Sequence, residues 1–223
     1  MNLRQFATRE ALMQAAAAYI AETLDQAVRA RGAACAALSG GETPAPAYRR
    51  LAAHALDWAR IKFLLVDERF VPAAQPSSNE AMLRDALAPA LAAGAEVLPM
   101  YAAHATPEQA AARADAVYAD AEIDLALLGM GGDGHTASWF AQSPQLAAAL
   151  DLANPRAVIA VHAPGAAGSA DRLTMTRAAI AKAKRRLLLL AGENKRKTLE
   201  SLAVTGAPAA ALLELETEIF WAP

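Results

Sequence analysis

Hydrophobic positions along the chain fall into short continuous runs that alternate with longer segments of helical periodicity. Runs such as "AACAAL", "IKFLLV" and "RRLLLLAG" have the length of buried strands. In residues 9–31 the apolar positions instead recur at helical spacing, with Thr8 as the expected N-cap and Gly32 as the expected stop. The pattern therefore predicts alternating strands and helices.

The predicted elements occupy most of the chain. Strands are expected over residues 33–38, 61–66, 123–129, 156–164, 185–192 and 217–223. Helices are expected over residues 9–31, 44–56, 77–87, 106–121 and 193–204. Apolar strands that alternate with helices are typical of an α/β fold, a mostly parallel sheet with helices on both faces. No linker interrupts the pattern, so residues 1–223 are predicted to form a single domain.

Composition narrows the class of protein. Hydrophobic residues make up 55% of the 223 residues and charged residues 20%, which excludes a mostly disordered chain. The net charge of −2 argues against a general nucleic-acid binder. The single cysteine allows neither a disulfide nor a paired-cysteine zinc site. With no secretory signal and no apolar run near the ~18 residues of a membrane span, we expect a cytoplasmic protein that binds no membrane.

Unusual polar residues collect directly after the predicted strands. They lie at residues 39–41, 67–69, 133–135 and 192–195. In open parallel sheets, ligands bind beyond the carboxyl ends of the strands. The sequence therefore predicts one site, built from these four segments.

The segment "LSGGETP" suits an anion. Ser39 and Thr43 offer hydroxyls, and Gly40 and Gly41 allow the backbone to approach a ligand just before a helix. An ordinary turn with Thr43 as helix cap explains the same pattern. The spacing does not fit a nucleotide P-loop.

Cationic side chains in three segments could hold a phosphate. Arg69 in "VDERFVP" has a planar fork that matches one, and Asp67 or Glu68 could orient it, or Asp67 could face the substrate. Lys195 near a helix start and Arg172 in "DRLTMT" are further candidates. Ion pairs that merely cap the strand or lie buried are the alternative.

The stretch "GGDGHTASWF" carries the main candidate for chemistry. His135 is expected at the start of a helix, whose dipole favours the neutral imidazole that a general base needs. The N–H groups of Gly131 and Gly132 could stabilise an oxyanion, and Asp133 could orient the histidine or only shape the turn. A histidine that hydrogen-bonds its own turn is the alternative. No two histidines have metal-ligand spacing, so no metal is expected.

Residues 129–134 also fit Gly-x-Gly-x-x-Gly, the motif of dinucleotide sites. Such sites have an acidic residue about 20 positions on, at the end of the next strand. Here that strand ends in His162-Ala163-Pro164. A dinucleotide is therefore not expected.

Taken together, "LSGGETP", "VDERFVP" with "SSNEAML", "LLGMGGDGHTAS", "RLTMT" and "GENKR" resemble the 6-phosphogluconolactonases in content and order, over about residues 34–200. The resemblance implies a fold like that of the sugar-phosphate isomerases, a modified Rossmann type. It also implies cofactor-free hydrolysis of 6-phospho-D-glucono-1,5-lactone to 6-phosphogluconate in the oxidative pentose phosphate pathway. By the same resemblance His135 is the base, Arg69 and Lys195 bind the phosphate, and Gly40 and Gly41 form the glycine loop.

The chain departs from the family pattern beyond the histidine. The family usually continues "TASLFP", whereas Trp139 and Ala141 stand here, which puts the local helix end and the pocket wall in question. Glucosamine-6-phosphate deaminase is an alternative, but residues 136–142 lack the carboxylate that such enzymes carry after the histidine. A sugar-phosphate-sensing module is another, although 223 residues leave no room for the DNA-binding segment of such regulators. The sequence predicts no oligomeric state.

Overall fold

The computed structural model describes residues 2–223, which form two sheets and a set of mostly short helices. The strands are β1 (Asn2–Gln5), β2 (Ala34–Leu38), β3 (Ile61–Leu65), β4 (Asp67–Arg69), β5 (Glu96–Leu98), β6 (Leu125–Leu128), β7 (Val158–His162), β8 (Asp171–Met175), β9 (Arg185–Ala191) and β10 (Glu218–Ala222). The helices are α1 (Arg9–Arg31), α2 (Ala45–Leu51), α3 (Asn79–Ala86), α4 (Ala88–Ala92), α5 (Pro107–Tyr118), α6 (Leu146–Leu150), α7 (Arg177–Ala181), α8 (Glu193–Thr205) and α9 (Ala210–Leu213).

Local capping signals explain where the longer helices begin and end. Thr8, Ser78 and Thr106 each accept a hydrogen bond at the first turn of α1, α3 and α5, respectively. Gly32 ends α1 with a φ of 80°, a left-handed conformation that glycine adopts without strain. The start and end predicted for α1 are therefore confirmed.

The larger sheet has seven strands in the order β1-β10-β9-β6-β2-β3-β5, and every neighbouring pair is parallel. Its central strand β6 is buried throughout, as expected for a parallel sheet covered on both faces. The chain runs outward in one direction from β2 and in the other from β6. The order thus reverses between these two strands, which is where such folds bind ligands.

A second sheet, β4-β8-β7, is antiparallel and was not predicted. Residues 67–69 form one of its strands, and the strand predicted over residues 156–164 belongs to it rather than to the parallel sheet. In this sheet Arg69 lies opposite Arg172, and Asp67 lies opposite Thr174. The pairing brings together cations that lie far apart in the sequence.

Several local predictions are corrected. The helix expected at His135 is absent from the described structure: residues 135–145 form an irregular loop in which Thr136 bridges to Trp139, and the next helix is α6. Ala137 has a φ of 50°, in the left-handed region, so the backbone cannot continue as a right-handed helix at this position. Thr43 is not the cap of α2, because Pro44 occupies that position. The strand β1 was not predicted.

One continuous cluster of buried side chains runs from Leu12 to Ala222. It includes Val158 and Leu173 from the second sheet as well as the strands of the first. The single-domain organisation of residues 1–223 stays a prediction, which this shared core favours. Trp139 is fully buried in the same cluster, and its Nε1–H donates to the backbone O of Met175 at 2.9 Å.

Candidate active site

A cavity of about 430 Å³ opens where the strand order reverses, at the carboxyl ends of β2, β3 and β6. This volume lies within the range of small-molecule sites. The predicted site residues that line it are Ser39, Gly40, Gly41, Thr43, Asp67, Arg69, Gly131, His135, Arg172 and Lys195. Gly132 and Asp133 do not line it, and neither do Trp139 and Ala141. The four segments predicted from the sequence therefore meet in one place.

His135 is held by the aspartate of its own turn. Its Nδ1 lies 2.5 Å from Oδ1 of Asp133, and its backbone N–H donates to the same oxygen at 3.2 Å. Partial burial raises the pKa of the Asp133 carboxyl, but the hydrogen bond from the His135 N–H and the adjacent imidazole lower it below the ordinary value. The carboxylate thus favours a proton on Nδ1 and leaves Nε2 as the acceptor.

The glycines of this turn are required by close contacts. A Cβ on Gly131 would lie 2.3 Å from Nδ1 of His135 and 2.5 Å from Oδ1 of Asp133. Gly134 has a φ of 80°, and a Cβ there would lie 2.6 Å from that of Ala207. The ring of Phe140 lies on the other side, with its centroid 4.3 Å from that of His135. The imidazole is therefore fixed by Asp133 and by packing, and no helix begins at residues 135–145 to supply the dipole that was expected to favour its neutral form.

Three cationic side chains line the cavity. Nη1 of Arg69 donates to the backbone O of Ser77 at 3.1 Å and to Oδ1 of Asn79. Arg172 is only 4% exposed, and its Nη1 lies 3.9 Å from Oδ2 of Asp67. Burial lowers the pKa of Arg172. The buried ion pair that the sequence left open for Arg172 is thus present within the cavity itself.

Lys195 extends from the first turn of α8 into the same cavity. Burial lowers the pKa of its ammonium group, and the charge of Arg9 lowers it further. Both effects disfavour the free cation. A bound anion would offset them, since an opposite charge favours the protonated form.

Asp67 and Ser39 add a carboxylate and a hydroxyl to the wall of the cavity. Oδ2 of Asp67 accepts a hydrogen bond from Ser138 at 2.6 Å, which anchors it beside the cations. Ser39 lines the cavity, and its buried Oγ has no hydrogen-bond partner among the described residues. Tyr48 holds the same residue from behind, because its hydroxyl donates to the backbone O of Ser39 at 2.9 Å. A buried hydroxyl without a partner is suited to a ligand.

Sequence reasoning missed several lining residues. They are Glu42, Pro44, Asn79, Gly129, Met130, Thr136 and Ala137. Asn79 was not predicted to line the site, although its place in "SSN" after "DER" was a usable signal. Glu68 points to the start of α3 instead of to the cavity: it accepts hydrogen bonds from the N–H groups of Asn79 and Glu80, each at 2.7 Å.

Other predicted features lie elsewhere. His162, which the sequence places at the end of a strand near the site, pairs through Nδ1 with Oδ1 of Asp171 at 2.7 Å and does not line the cavity. Across residues 2–223, His, Cys, Asp and Glu side chains form no group of three or more that could hold a metal ion. Over the same residues, the helices are too short or too polar to cross a membrane.

Comparison with known proteins shows the family of the chain. Residues 7–221 match the model described as glucosamine-6-phosphate isomerases/6-phosphogluconolactonase. The chain belongs to this glucosamine-6-phosphate isomerase/6-phosphogluconolactonase family. A 6-phosphogluconolactonase of Rhizobium meliloti is 38% identical, over 100% of this chain and 99% of that protein. One from Caulobacter vibrioides is 37% identical, over 100% and 97%.

Solved structures of the family share the fold. A 6-phosphogluconolactonase from Shewanella baltica superposes with a TM-score of 0.93 at 31% identity, over 100% of this chain and 98% of that one. A monomeric glucosamine-6-phosphate deaminase has a TM-score of 0.76 at 20% identity, over 100% and 97%. The deaminase therefore shares the fold only, whereas the lactonases are also similar in sequence. The predicted α/β fold of the sugar-phosphate isomerase type is confirmed.

Proposed function

We propose that the chain hydrolyses 6-phospho-D-glucono-1,5-lactone to 6-phospho-D-gluconate, a step of the oxidative pentose phosphate pathway. One observation carries the proposal: the imidazole of His135 and three cationic side chains line the same cavity. A base beside an anion-binding group is what hydrolysis of a phosphorylated ester requires. The similarity to curated 6-phosphogluconolactonases supports the same substrate class.

The phosphate would be held by cations that approach it from different segments. Arg69 supplies a planar fork and Lys195 a compact charge, and Arg172 adds positive potential from a more buried position. Ser39 and the turn of Gly40 and Gly41 offer a hydroxyl and backbone N–H groups on another wall of the cavity. The lactone ring would then extend towards His135.

His135 would act as the general base. Its Nε2 takes a proton from water as the water oxygen attacks C1, and the carbonyl oxygen becomes an oxyanion. N–H groups of the turn around Gly131 are suited to stabilise that charge. When the bond between C1 and the ring oxygen breaks, the imidazolium returns its proton to that oxygen, which leaves as the C5 hydroxyl. General-base catalysis contributes about 10²–10⁴-fold.

Glucosamine-6-phosphate deaminase is the second candidate, since one deaminase shares the fold. Ring opening and loss of the amine need further acid–base groups. The carboxylates that line the cavity belong to Glu42 and Asp67, and residues 136–142 after the histidine contain none. Asp67 is already bound by Ser138 and Asn79. These contacts favour the lactonase.

The decisive assay measures lactone loss with and without the protein, corrected for spontaneous hydrolysis. We expect clear acceleration at micromolar concentrations of the protein, and an acceleration lower by about 10²-fold or more with His135→Ala. A lack of acceleration by the unaltered chain would refute the lactonase, and ammonia release from glucosamine 6-phosphate would favour the deaminase. A cytoplasmic location and the absence of nucleic-acid partners stay predictions from the sequence.

A further inference from the structure

The side chain of Asn79 joins separate parts of the cavity wall. Its Nδ2 donates to the backbone O of Asp67 at 2.8 Å and to Oδ1 of the same residue at 3.2 Å. Its Oδ1 accepts a hydrogen bond from Nη1 of Arg69. Asn79 is 2% exposed and lines the cavity. Both ends of the amide are therefore occupied by residues assigned to the site.

Glu68 fixes the position of Asn79 from the opposite side of β4. Successive side chains of a strand point to opposite faces, so Asp67 and Arg69 share a face that Glu68 does not. Oε1 of the fully buried Glu68 accepts from the backbone N–H groups of Arg69 and Asn79, each at 2.7 Å. Oε2 accepts from the hydroxyl of Ser78 at 2.9 Å. The start of α3 is thereby attached to β4.

The glycine turn after β2 packs directly on the same amide. A Cβ on Gly40 would lie 1.9 Å from Oδ1 of Asn79, which is closer than two non-bonded atoms can approach. Only glycine allows this approach. Asn79 therefore contacts both walls that are proposed to surround the phosphate, the turn after β2 and the strand β4.

We propose that Asn79 is a positioning residue, which orients the guanidinium of Arg69 for binding of the 6-phosphate. Two acceptors on the same Nη1, Oδ1 of Asn79 and the backbone O of Ser77, fix the rotation of the guanidinium. Asp67 in turn lies beside Arg172. The amide thus holds Arg69 directly, whereas Arg172 lies beyond Asp67 and makes no hydrogen bond to the amide in the described structure.

The inference rests on the proposed lactonase function and deepens it. Asn79→Ala leaves Nη1 of Arg69 with only the backbone O of Ser77 as acceptor, so part of the binding energy of the phosphate is spent on ordering the guanidinium. We expect KM for the phosphorylated lactone to rise about tenfold, as for the loss of a charge-assisted hydrogen bond. The kcat value should change less than about threefold, because Asn79 has no hydrogen bond to His135 in the described structure.

A double-mutant cycle tests whether Asn79 acts through Arg69. The variants are Asn79→Ala, Arg69→Ala and both together, and the readouts are KM and the calorimetric Kd for 6-phosphogluconate. In the Arg69→Ala background, Asn79→Ala should weaken binding less than about twofold, because residues that act as one unit are not additive. Equal weakening in both backgrounds would overturn the proposal.

Ser78→Ala is the matched structural control. It removes the hydroxyl that caps α3 through the N–H of Ala81 at 3.2 Å and donates to Glu68 at 2.9 Å, but leaves the amide of Asn79 and its backbone hydrogen bond to Glu68 in place. We expect a lower Tm with KM within about twofold of the unaltered chain, since loss of an N-cap costs only about 1 kcal/mol of stability. If Ser78→Ala raises KM as much as Asn79→Ala does, disturbance of the helix start suffices and the proposal is wrong.

The two readouts separate this inference from the proposed function. If the unaltered chain binds 6-phosphogluconate but does not hydrolyse the lactone, the lactonase assignment fails. The calorimetric cycle still decides the role of Asn79. If the unaltered chain binds no 6-phosphogluconate, the proposal that Asn79 positions Arg69 for the phosphate is wrong.

Discussion

Nδ1 of His135 lies 2.5 Å from Oδ1 of Asp133, although the two residues are separated by a single glycine. The histidine is thus oriented by its own turn and not by a distant strand. The aspartate side chain is 59% exposed, so solvent weakens the coupling between the two groups. The contact predicts a different effect on catalysis for substitution of His135 and for substitution of Asp133.

Removal of the base is the first test. His135→Ala should lower kcat for the phosphorylated lactone by about 10²-fold or more, with little change in KM. Steady-state kinetics measure both constants. A near-normal kcat would show that His135 has a structural role only.

Asp133→Asn tests whether the aspartate orients the imidazole. The substitution keeps the shape but removes the charge that favours a proton on Nδ1, so kcat should fall by roughly tenfold, less than for a buried triad aspartate. In the His135→Ala background the same change should have almost no effect. An equal loss in both backgrounds would mean that Asp133 only shapes the turn.

The glycine turn offers a steric test with a matched control. Gly131→Ala places a Cβ 2.3 Å from Nδ1 of His135 and must displace the imidazole. At Gly132 an added Cβ meets nothing within 4 Å. We expect Gly131→Ala to lower kcat by about 10²-fold, since small displacements of a positioned group are costly, while Gly132→Ala retains most activity. Comparable losses in the two variants would contradict the contact.

The phosphate assignment is tested by Arg69→Lys, which keeps the charge but loses the planar fork. Charge-assisted hydrogen bonds contribute about 1.5–3 kcal/mol each, so KM for the phosphorylated lactone should rise roughly tenfold or more. Hydrolysis of unphosphorylated gluconolactone should barely change. The measurement is kcat/KM for both lactones. Equal losses for the two would mean that Arg69 stabilises the fold or the base.

A stability prediction concerns the opposite end of the sheet. Asp124 is buried, accepts from the N–H of Cys35 at 2.9 Å and pairs with Arg31 and Lys184. Burial raises the pKa of its carboxyl, but the hydrogen bonds from Arg31 and Cys35 and the positive charge of Arg31 lower it overall. A lowered pKa stabilises the fold above the ordinary value of about 3.9, and this contribution is lost as the pH falls through the folded value.

Asp124→Asn should therefore reduce the free energy of unfolding by about 3 kcal/mol at neutral pH, the usual effect of breaking a buried ion pair. Urea unfolding at pH 7 and 5 should show the same difference, and below about pH 4 the difference should narrow. Lys62→Met is the control for loss of an exposed ion pair, because Lys62 pairs with Glu96 at 3.7 Å on the surface. If the difference in the free energy of unfolding were the same at all pH values, the carboxylate of Asp124 could not be its source.

Local signals predicted much of the fold from the sequence. The cap Thr8 and the stop at Gly32 act within one turn of the backbone, so they are visible without tertiary structure. Residues at the ends of strands converged as expected, because parallel strands all present their carboxyl ends at one edge of the sheet. This regularity located most of the cavity.

The errors share a different cause. The three residues of β4 are too few to show any periodicity, and they become a strand only by pairing with β8, about a hundred residues later. The loop after His135 resembles a helix start, but Ala137 adopts a positive φ and Trp139 is drawn into the core. Asn79 was missed as a site residue because its partners, Gly40 and Arg69, are distant in the sequence or on another element.

The position of β10 inside the larger sheet has a consequence for the order of folding. Residues 218–222 lie between β9 and β1, so β1 has no neighbour in the sheet until they are in place. During synthesis, residues 2–5 therefore stay unpaired until a segment more than two hundred residues later has been made. The N–H of Phe6 extends the same pairing through a hydrogen bond to the backbone O of Trp221 at 2.8 Å. A ribosome-bound chain that stops before residue 218 leaves the edge of β9 that pairs with β10 open to other strands.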